Sequence, residues 1–454
     1  MIRRSVTVHK IMPGSVPQNV ETLRQTLQQC GEIINDALVG VTGNRGRVNV
    51  LPRVWSEITT RFDRRWREIA ERSFELQSAA ARKLTNHRVS HHDSTAASVA
   101  QSQTILAENE RFWWVTRRGL EQATHARVAL LKAGWFDGDT VHDLCCGIGG
   151  DALRLLERGE VHVVENDPLT AAMVSENLRT SSCDRFTFTV HCQDVEDYDL
   201  PSGAWLHLDP DRRIQGRAAR DPDDFSPRWQ SVCSMVQRSC GALIKLAPAT
   251  TIPHETLDEA SIHRLWIETS GSVREQDLLW GDLCDRANLA RGSRSAWVVR
   301  ADGGVDCFQS QLSTSLNVSS ETDLRKLEGA WLIDPRPSIR AAGLTEAFAT
   351  EHGCQFLAGP PGFLMSEPND HNDSAPLESM AAVGRVEWVS SFDDRKLRKE
   401  LRRRNCYPQT IKVRGADHDP IQLVNRYQTC GERPIRLWVG RIGKRVFAAI
   451  TDLA

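Results

Sequence analysis

The sequence lacks any long apolar run. No segment approaches the ~20 consecutive apolar residues that a helix needs to cross a bilayer. The first residues, MIRRSVTVHKIMPG, are basic but reach Pro13 without an apolar stretch of signal-peptide length. We therefore expect a protein that is neither inserted in a membrane nor exported.

Paired cysteines are also missing, because the 12 cysteines are scattered between Cys30 and Cys430 without one C-x-x-C pair. A chain of this length can bury a sizeable core without disulfides, so we expect reduced thiols and a cytoplasmic location. The adjacent residues Cys145 and Cys146 would point to opposite faces at the end of a strand, so they could not bind one metal ion together. We therefore expect no metal site.

The charge of the chain is balanced overall but unevenly distributed. The net charge of the 454 residues is −2, yet residues 385–454 contain sixteen Lys and Arg against eight Asp and Glu. This segment therefore carries +8, which leaves −10 for residues 1–384. The asymmetry indicates a basic module on an acidic body, as in proteins whose partners carry phosphate groups. A solvated helix face would give the same pattern, and both interpretations stay open.

The chain is longer than a single hydrophobic core normally supports, so we expect two or three domains. Residues 1–110 have a helical pattern. Their polar break His87–Ser94 is given no function, because the histidines lack the companion ligands of a metal site. Apolar residues at steps of three and four predict one buried stripe on an amphipathic helix, formed by Trp55, Ile58, Phe62, Trp66 and Ile69.

Between residues 111 and 300, short apolar runs alternate with helical patterns. This alternation predicts crossover connections and a mostly parallel sheet with helices on both faces, a doubly wound, Rossmann-like α/β domain. Residues 301–384 lose the alternation and contain polar loops, which predicts a connecting module before a small basic α+β module at residues 385–454. The predicted strands are VHDLC, VHVVE, FTFTVHC, AWLHLD, GALIKLA, RLWIET and SAWVVR.

The segment VHDLCCGIGGD, residues 141–151, joins the first predicted strand to a helix. Gly147 and Gly149 would let the backbone approach a ligand, because neither residue has a Cβ atom. A loop at this place in a doubly wound sheet binds nucleotides. A glycine loop by itself is also common as a simple tight turn, so the neighbouring residues must decide between the two.

Acidic residues follow the next three strands as well. Glu165 ends the second strand, where a carboxylate can accept hydrogen bonds from a ribose diol. Asp194 follows the third strand, where it would accept a hydrogen bond from an adenine amino group or cap a helix. Asp209 follows the fourth strand. Together with Asp143, these carboxylates favour a positively charged ligand over a pyrophosphate.

These residues resemble the class I S-adenosylmethionine-dependent methyltransferases. The loop is most similar to that of RNA methyltransferases with the pattern D-x-x-C-G-x-G, and Cys145 replaces the first glycine of the commoner pattern. The segments TRRGLEQAT, ETSGSVREQDLLWGDL and LIDPRPSIRAAGL and the basic tail resemble a bacterial group that adds a C-terminal THUMP-like module. The resemblance covers roughly residues 110–454, and it implies S-adenosylmethionine as cofactor and RNA as partner.

The resemblance also implies a role for each matched position. Asp209 and Pro210 would form the catalytic, acceptor side of the site, where Asp209 would orient or deprotonate the acceptor. The positions that would bind the cofactor are Asp143, Gly147 and Gly149 for the methionine part, Glu165 for the ribose and Asp194 for the adenine, with Cys145 and Asn166 beside them.

The acceptor loop departs from the family pattern. Enzymes that modify exocyclic amines carry N/D-P-P-Y/F, whereas Asp211 and Arg212 replace the second proline and the aromatic residue here. Arg212 and Arg213 would hold a phosphate or a base, or would pair with Asp211 or Asp221. The segment KLAPA lacks the nucleophilic cysteine of C5-uridine enzymes. We therefore expect direct in-line methyl transfer, in which positioning lowers the barrier by about 7–11 kcal/mol.

The segment RKLRKELRRR, residues 395–404, predicts a helix with Leu397 and Leu401 on a narrow apolar side. Two other functions stay open: methylation of a protein or small molecule, and RNA binding without catalysis, which the altered DPDRR loop favours. The cations of this helix that would contact RNA phosphates are Arg395, Lys399, Arg402 and Arg403.

Overall fold

The structure, a computed structural model, describes residues 18–38, 44–85, 112–181, 185–211, 213–214, 217–218, 224–253, 257–310, 324–357, 362–367 and 379–453. The chain divides into two compact units. Unit 1 comprises Met1–His263 and Gln276–Arg291, and unit 2 comprises Arg264–Glu275 and Gly292–Ala454. Within the described ranges, no helix is both long and apolar enough to span a membrane.

Helices and strands alternate through most of the described chain. The helices are α1 Gln18–Leu38, α2 Asn44–Arg61, α3 Arg64–Glu75, α4 Gln77–Leu84, α5 Arg117–Gln122, α6 Ala126–Ala133, α7 Ala152–Leu155, α8 Pro168–Arg179, α9 Trp229–Arg238, α10 Asp282–Arg286, α11 Pro337–Ala341, α12 Thr345–Glu351, α13 Asp394–Arg403 and α14 Pro420–Tyr427. The strands are β1 Val141–Leu144, β2 Val161–Glu165, β3 Phe188–Cys192, β4 Trp205–Leu208, β5 Arg213–Ile214, β6 Arg217–Ala218, β7 Gly241–Leu246, β8 Ile262–Thr269, β9 Ser272–Gly281, β10 Arg294–Val299, β11 Val305–Ser310, β12 Trp331–Pro335, β13 Gln355–Phe356, β14 Leu364–Ser366, β15 Ala381–Ser391, β16 Cys406–Val413, β17 Arg433–Ile442 and β18 Arg445–Thr451.

The sheet of unit 1 has the strand order β3-β2-β1-β4-β7-β9. The first five strands pair in parallel, and β9 pairs with β7 in the antiparallel direction. Each strand predicted from an apolar run is present in the structure, as β1, β2, β3, β4, β7, β8 or β10. The strand order reverses between β1 and β4, so the carboxyl ends of these two strands flank the crevice where such sheets bind ligands.

The amino-terminal helices form part of unit 1. Gln77 of α4 donates a 2.8 Å hydrogen bond from Nε2 to the Trp113 carbonyl, and the Trp113 amide donates back to Gln77 Oε1 at 2.9 Å. In the same way, the Trp114 amide donates a hydrogen bond to Oδ1 of Asn177 in α8, and Asn177 Nδ2 donates one to the Trp114 carbonyl, both at 2.9 Å. These buried amide pairs join the described helices before residue 86 to the sheet domain. Separating the two would leave buried polar groups unpaired, which is unfavourable.

The apolar stripe predicted for a single helix is divided between two. α2 ends at Arg61 and α3 begins at Arg64, because the Asp63 carboxylate caps α3 by accepting hydrogen bonds from the amides of Arg65 and Trp66. Ile58 is fully buried, whereas the four other stripe residues are half-buried. The prediction of one continuous helix was therefore wrong at the Asp63 cap. The segment His87–Ser94 lies outside the described residues.

Unit 2 contains a sheet with the order β13-β14-β12-β15-β18-β17-β16. β12, from the predicted connecting module, pairs with β15 along its full length, with Trp331 opposite Arg385 and Pro335 opposite Ala381. α13 lies on the core of this sheet through Leu397 and Leu401, both fully buried. The predicted C-terminal α+β architecture is thus observed. The division of the chain into four domains stays a prediction.

Candidate active site

The loop after β1 has the backbone of a glycine loop. Cys145, Gly147 and Gly149 all have positive φ angles, of 59°, 55° and 91°. Cys145 therefore adopts the left-handed conformation that favours glycine, at the position where the commoner pattern has one. A Cβ atom at Gly147 would meet nothing within 4 Å, whereas one at Gly149 would lie 2.8 Å from Val174 Cγ2. Gly147 leaves the backbone open, and Gly149 permits close packing against α8.

The two cysteines of this loop have thiols that favour the protonated form. Burial raises the pKa of the Cys145 thiol well above its usual range, and the carboxylates of Glu165 and Asp209 add to the rise. Burial also raises the pKa of Cys146, with Asp143 nearby. Both thiols therefore stay protonated at neutral pH. In the described part of the chain, no group of three or more His, Cys, Asp or Glu side chains is placed to hold a metal ion.

A cavity of about 450 Å³ opens at the carboxyl ends of the parallel strands of unit 1. It carries six carboxylates against two cations, Arg118 and Lys245, so its lining has a net charge of −4. Seven of the predicted site residues line it: Cys145, Gly147, Glu165, Asn166, Asp194, Asp209 and Pro210. The structure thus brings together most of the residues that the sequence suggested for cofactor and acceptor.

Glu165 supports the glycine loop while facing the cavity. Its Oε2 accepts a hydrogen bond from the Gly147 amide at 3.1 Å, and its Oε1 accepts one from the Asp167 amide at 3.0 Å. Burial raises the pKa of Glu165, although these backbone hydrogen bonds oppose the rise. One carboxylate therefore joins the ends of β1 and β2, the two elements that would hold the methionine and the ribose.

Asp194 caps a short 3₁₀ turn and also lines the cavity. Its Oδ1 accepts a hydrogen bond from the Glu196 amide at 2.9 Å, which caps the short 3₁₀ turn Val195–Asp197. The same residue is exposed and lines the cavity. Capping and a cavity-facing position are therefore compatible, and the adenine contact stays a prediction.

Asp143 is placed differently from the prediction. It is opposite His207 in the pairing of β1 with β4, and His207 Nδ1 donates a 2.7 Å hydrogen bond to Asp143 Oδ1. Asp143 is 1% exposed and does not line the cavity. Gly149 does not line the cavity either. Burial raises the pKa of Asp143, and the His207 charge opposes the rise. Its role in the structure is to pair with His207 beneath the loop.

A second buried carboxylate lies next to this pair. Asp151 forms a 3.0 Å ion pair with Lys132, and Thr124 Oγ1 donates a 2.5 Å hydrogen bond to it. Burial alone would raise the pKa of Asp151, but the charges of Lys132, His207 and Lys245 outweigh it and lower the pKa. Although burial opposes the change, Asp151 and Asp143 raise the pKa of His207. This network fixes the floor of the loop with charged hydrogen bonds.

Asp209, the proposed acceptor-side residue, pairs with a lysine that sequence reasoning missed. Lys245 of β7 lies with Nζ 2.6 Å from Asp209 Oδ2, and it also donates to the Gln122 carbonyl at 3.2 Å. Lys245 is 4% exposed in an otherwise apolar strand, GALIKL. A lone lysine in a buried apolar run is the sequence signal that could have identified it, because such a charge needs a partner.

Asp211 also has a partner outside its own loop. Arg118 Nη2 donates to Asp211 Oδ2 at 2.5 Å, and Gln122 Nε2 donates to Oδ1 at 3.3 Å. Arg118 and Gln122 lie four residues apart on α5, from the TRRGLEQAT segment, and both line the cavity. Arg118 is therefore one ion-pair partner of Asp211. The side chains of Arg212, Arg213 and Asp221 lie outside the described part of the structure.

The predicted basic helix is observed in unit 2 as α13. Asp393 caps it by accepting a 2.8 Å hydrogen bond from the Lys396 amide. Its predicted phosphate contacts Arg395, Lys399, Arg402 and Arg403 are all exposed. Arg403 forms a 2.5 Å ion pair with Glu400. The other three cations are four and three residues apart, so they form a row along the helix: Arg395, Lys399 and Arg402.

The chain is similar to proteins described as methyltransferases. Two curated relatives from Mycobacterium tuberculosis strains, CDC 1551 / Oshkosh and H37Rv, are described as uncharacterised S-adenosylmethionine-dependent methyltransferases. Each is 27% identical to this chain over 351 residues, which is 75% of this chain and 87% of the relative. No family model matches the sequence.

A solved structure shares the fold over nearly the whole chain. It is the crystal structure of a candidate methyltransferase from Porphyromonas gingivalis W83, with a TM-score of 0.59 and 16% sequence identity. The alignment covers 96% of this chain and 99% of the other. At this identity the likeness shows the fold alone. The predicted fold class, a Rossmann-like methyltransferase sheet with a helical amino-terminal region and a further α+β module, is thereby confirmed.

Proposed function

We propose that this chain transfers a methyl group from S-adenosylmethionine directly to an atom of a structured RNA, such as tRNA or rRNA. The enzyme class is the firm part of this proposal. The chain is an S-adenosylmethionine-dependent methyltransferase, as its curated relatives are described, and its cofactor is S-adenosylmethionine. The acceptor and the roles of individual residues are inferred from the chemistry of the two units.

The cavity of unit 1 suits a positively charged adenosine derivative. Its net charge of −4 favours a sulfonium, and Gly147 leaves room for a ligand atom beside the backbone. Glu165 would accept hydrogen bonds from the ribose diol, and Asp194 would accept one from the adenine amino group. When bound, the cofactor supplies a methyl group on a positively charged sulfur atom, which is already a good leaving group.

The acceptor side would be formed by Asp209 and Pro210. The ion pair with Lys245 uses Asp209 Oδ2, so Oδ1 is the oxygen through which Asp209 would orient the acceptor or take its proton. The bound cofactor would supply the methyl group and keep the electron pair of the carbon–sulfur bond, while Asp209 would hold the acceptor and take the proton that it loses. Because both loop thiols are protonated, we expect no covalent bond between enzyme and acceptor.

The observation that carries the RNA assignment is the row of exposed cations on α13. Arg395, Lys399 and Arg402 extend from a helix whose opposite side is anchored by fully buried leucines. Their spacing suits contacts to successive phosphates of a nucleic acid backbone, which do not depend on the sequence of bases. The THUMP-like identity of this module stays a prediction. The exposed row alone would also fit a solvated surface, so its function must be tested directly.

The binding test compares two triple variants of the full chain. R395Q/K399Q/R402Q should weaken RNA binding and reduce the slope of log affinity against log salt concentration by about three, which is about one per phosphate contact. The control R61Q/R65Q/R72Q removes three exposed cations of the amino-terminal helices and should leave the slope unchanged. Equal slopes in both variants would remove the support for RNA contact by α13.

The acceptor test is mass spectrometry of nucleosides from total RNA of cells with and without the gene. One methylated nucleoside should be missing without the gene and should return with the wild-type chain. Two other acceptors remain as alternatives to be excluded. If labelled methyl groups from the cofactor enter protein or small molecules in an RNA-depleted lysate, and no nucleoside is lost, the RNA assignment is wrong. RNA binding without any cofactor binding would instead indicate a non-catalytic protein.

A further inference from the structure

Unit 2 contains a cavity of its own, of about 370 Å³, at the LIDPRPSIRAAGL segment. Ligand pockets in proteins begin at about this volume, so the cavity could enclose most of a small ligand. The methyl-transfer proposal gives it no function. Six polar residues line it: Glu268, Asp334, Arg336, Thr410, Lys412 and Arg436.

The single negative charge of Asp334 is in contact with three cationic side chains. This carboxylate is 2% exposed, and its Oδ1 accepts hydrogen bonds from Arg340 at 2.7 Å and from Arg414 at 2.9 Å. Lys412 Nζ lies 3.4 Å from Oδ2. Burial alone would raise the pKa of Asp334, but these three cations outweigh it and lower the pKa. One ionised carboxylate therefore faces three cations, of which Lys412 lines the cavity.

Arg436 adds a further charge whose hydrogen bonds are incomplete. Its Nη1 donates to the Val383 carbonyl at 2.5 Å. Its Nε is buried and has no hydrogen-bond partner among the described residues. Arg436 is half-buried, and a buried Nε donor without an acceptor is costly unless a ligand supplies one. Arg436 lines the cavity, so a ligand there could supply that acceptor.

Glu268 gives the cavity one acceptor group. The residue is fully buried, and its Oε2 accepts hydrogen bonds from the amide and the hydroxyl of Ser338, both at 3.1 Å. Its Oε1 lies 3.8 Å from Arg336 Nη1 and has no hydrogen-bond partner in the described part of the chain. The Glu268–Arg336 pair is neutral overall. Three cations and two carboxylates therefore line the cavity, which gives its lining a net charge of +1, and Glu268 Oε1 is available to accept a hydrogen bond.

We propose that this cavity binds the phosphate group of a nucleotide. Lys412 and Arg436 would contact the phosphate, since both are cations and the guanidinium matches the geometry of phosphate oxygens. Glu268 Oε1 would accept a hydrogen bond from a hydroxyl or amino group of the nucleoside. The nucleotide could be free in solution or part of an RNA strand, because both present the same phosphate ester. The proposal does not depend on which acceptor unit 1 methylates.

The test is calorimetric titration of the full chain with cytidine 5′-monophosphate and with cytidine. Saturating S-adenosylhomocysteine is present throughout, so that the cavity of unit 1 is occupied. The monophosphate should bind at least about tenfold more tightly than cytidine at low salt, because each charged hydrogen bond to phosphate is strong. Failure of the monophosphate to bind more tightly than cytidine would overturn the proposal.

Variants then locate the site. R436Q and K412Q should each weaken binding of the monophosphate by about tenfold. R445Q, which removes the same charge at the exposed first residue of β18, should leave binding unchanged. Lys412 is about one-third exposed on its side chain, so K412Q provides a folded variant even if R436Q is unstable. Unchanged binding in K412Q, with the control also unchanged, would place the ligand elsewhere.

The source of the phosphate is distinguished by competition. A short single-stranded RNA that displaces the monophosphate from the wild-type chain, but fails to bind K412Q as tightly, identifies an RNA strand as the ligand. Displacement by free nucleotides alone identifies a small molecule, which still supports the phosphate site. These readouts need no methyl transfer, so their failure leaves the proposed activity of unit 1 intact.

Discussion

The two cavities of this chain are opposite in charge, although buried carboxylates line both of them. The lining of the cavity of unit 1 has a net charge of −4, while the lining of the cavity of unit 2, with three cations and two carboxylates, has a net charge of +1. In unit 1 the buried acid Asp151 has one close lysine, and further carboxylates at the strand ends face the cavity. In unit 2, Asp334 is surrounded by cations. The balance around one buried acid thus decides which ligand charge each cavity favours.

The largest expected effect tests the acidic cavity. D209N removes the group that would orient or deprotonate the acceptor, so methyl transfer should fall by about 100- to 10,000-fold. The measurement is the rate of label transfer from the cofactor to RNA from cells lacking the gene. Binding of S-adenosylhomocysteine should stay close to that of the wild type.

Because D209N leaves Lys245 buried without its carboxylate, the double variant D209N/K245M serves as a control for folding. It should be as inactive as D209N and should retain cofactor binding. An active D209N enzyme would show that Asp209 does not act on the acceptor.

The next prediction compares the two buried acids directly. K132M removes the 3.0 Å partner of Asp151, and both side chains are almost fully buried, so we expect a loss of about 3–5 kcal/mol in unfolding free energy. K412M should cost about 1 kcal/mol at most, because Lys412 is partly exposed and Asp334 keeps two arginines. Thermal unfolding of both variants measures the difference. Equal losses would mean that the number of cations around the acid does not matter.

The strands and their acidic ends could be predicted because the signal is local. Short, mostly apolar runs form β2, β3 and β4, and an acidic residue lies at the end of each or within two residues after it. In a parallel sheet those ends share one edge, so adding the sheet order is enough to gather Glu165, Asp194 and Asp209. The predicted strands therefore led to most of the cavity lining.

Side chains within a strand could not be placed by that rule. Asp143 is the third residue of β1, and it faces His207 because the two are opposite each other in the β1–β4 pairing. Only the register of two strands distant in sequence brings this acid and histidine together. The same holds for Arg118 and Lys245, whose partners Asp211 and Asp209 come from other elements. Ion pairs between elements depend on tertiary packing, which local patterns do not encode.

The third prediction concerns the cofactor contact of Glu165. E165Q removes the charge that would bind the ribose and weakens the support of the Gly147 amide, so S-adenosylhomocysteine should bind about 10- to 100-fold less tightly. Calorimetric titration measures the change. The control E157Q neutralises an exposed carboxylate of unit 1 and should bind as the wild type does. Normal affinity in E165Q would show that the ribose is held by other groups.

The smallest expected effect concerns a row of histidines in the sheet of unit 1. His142 stacks on His162 with ring centroids 4.8 Å apart, and its Nδ1 lies 2.7 Å from the Tyr198 hydroxyl. Burial, together with the charges of the neighbouring His162 and His191, lowers the pKa of His142 from 6.5 to about 4. Between these two pH values, His142 therefore binds a proton in the unfolded chain but stays neutral in the folded chain. Stability from this residue is complete above the unfolded pKa and is lost as the pH falls from 6.5 toward 4.

For this residue alone the loss should be about 1 kcal/mol at about pH 6. His207 acts in the opposite direction, because its pKa is raised in the fold. Comparing H142Q with the wild type isolates the His142 contribution, since glutamine can still bond to Tyr198. The variant should lose less unfolding free energy than the wild type between about pH 7 and about pH 6. If both lose the same amount, the folded His142 accepts its proton as readily as the unfolded residue, and burial in this row does not hold it neutral.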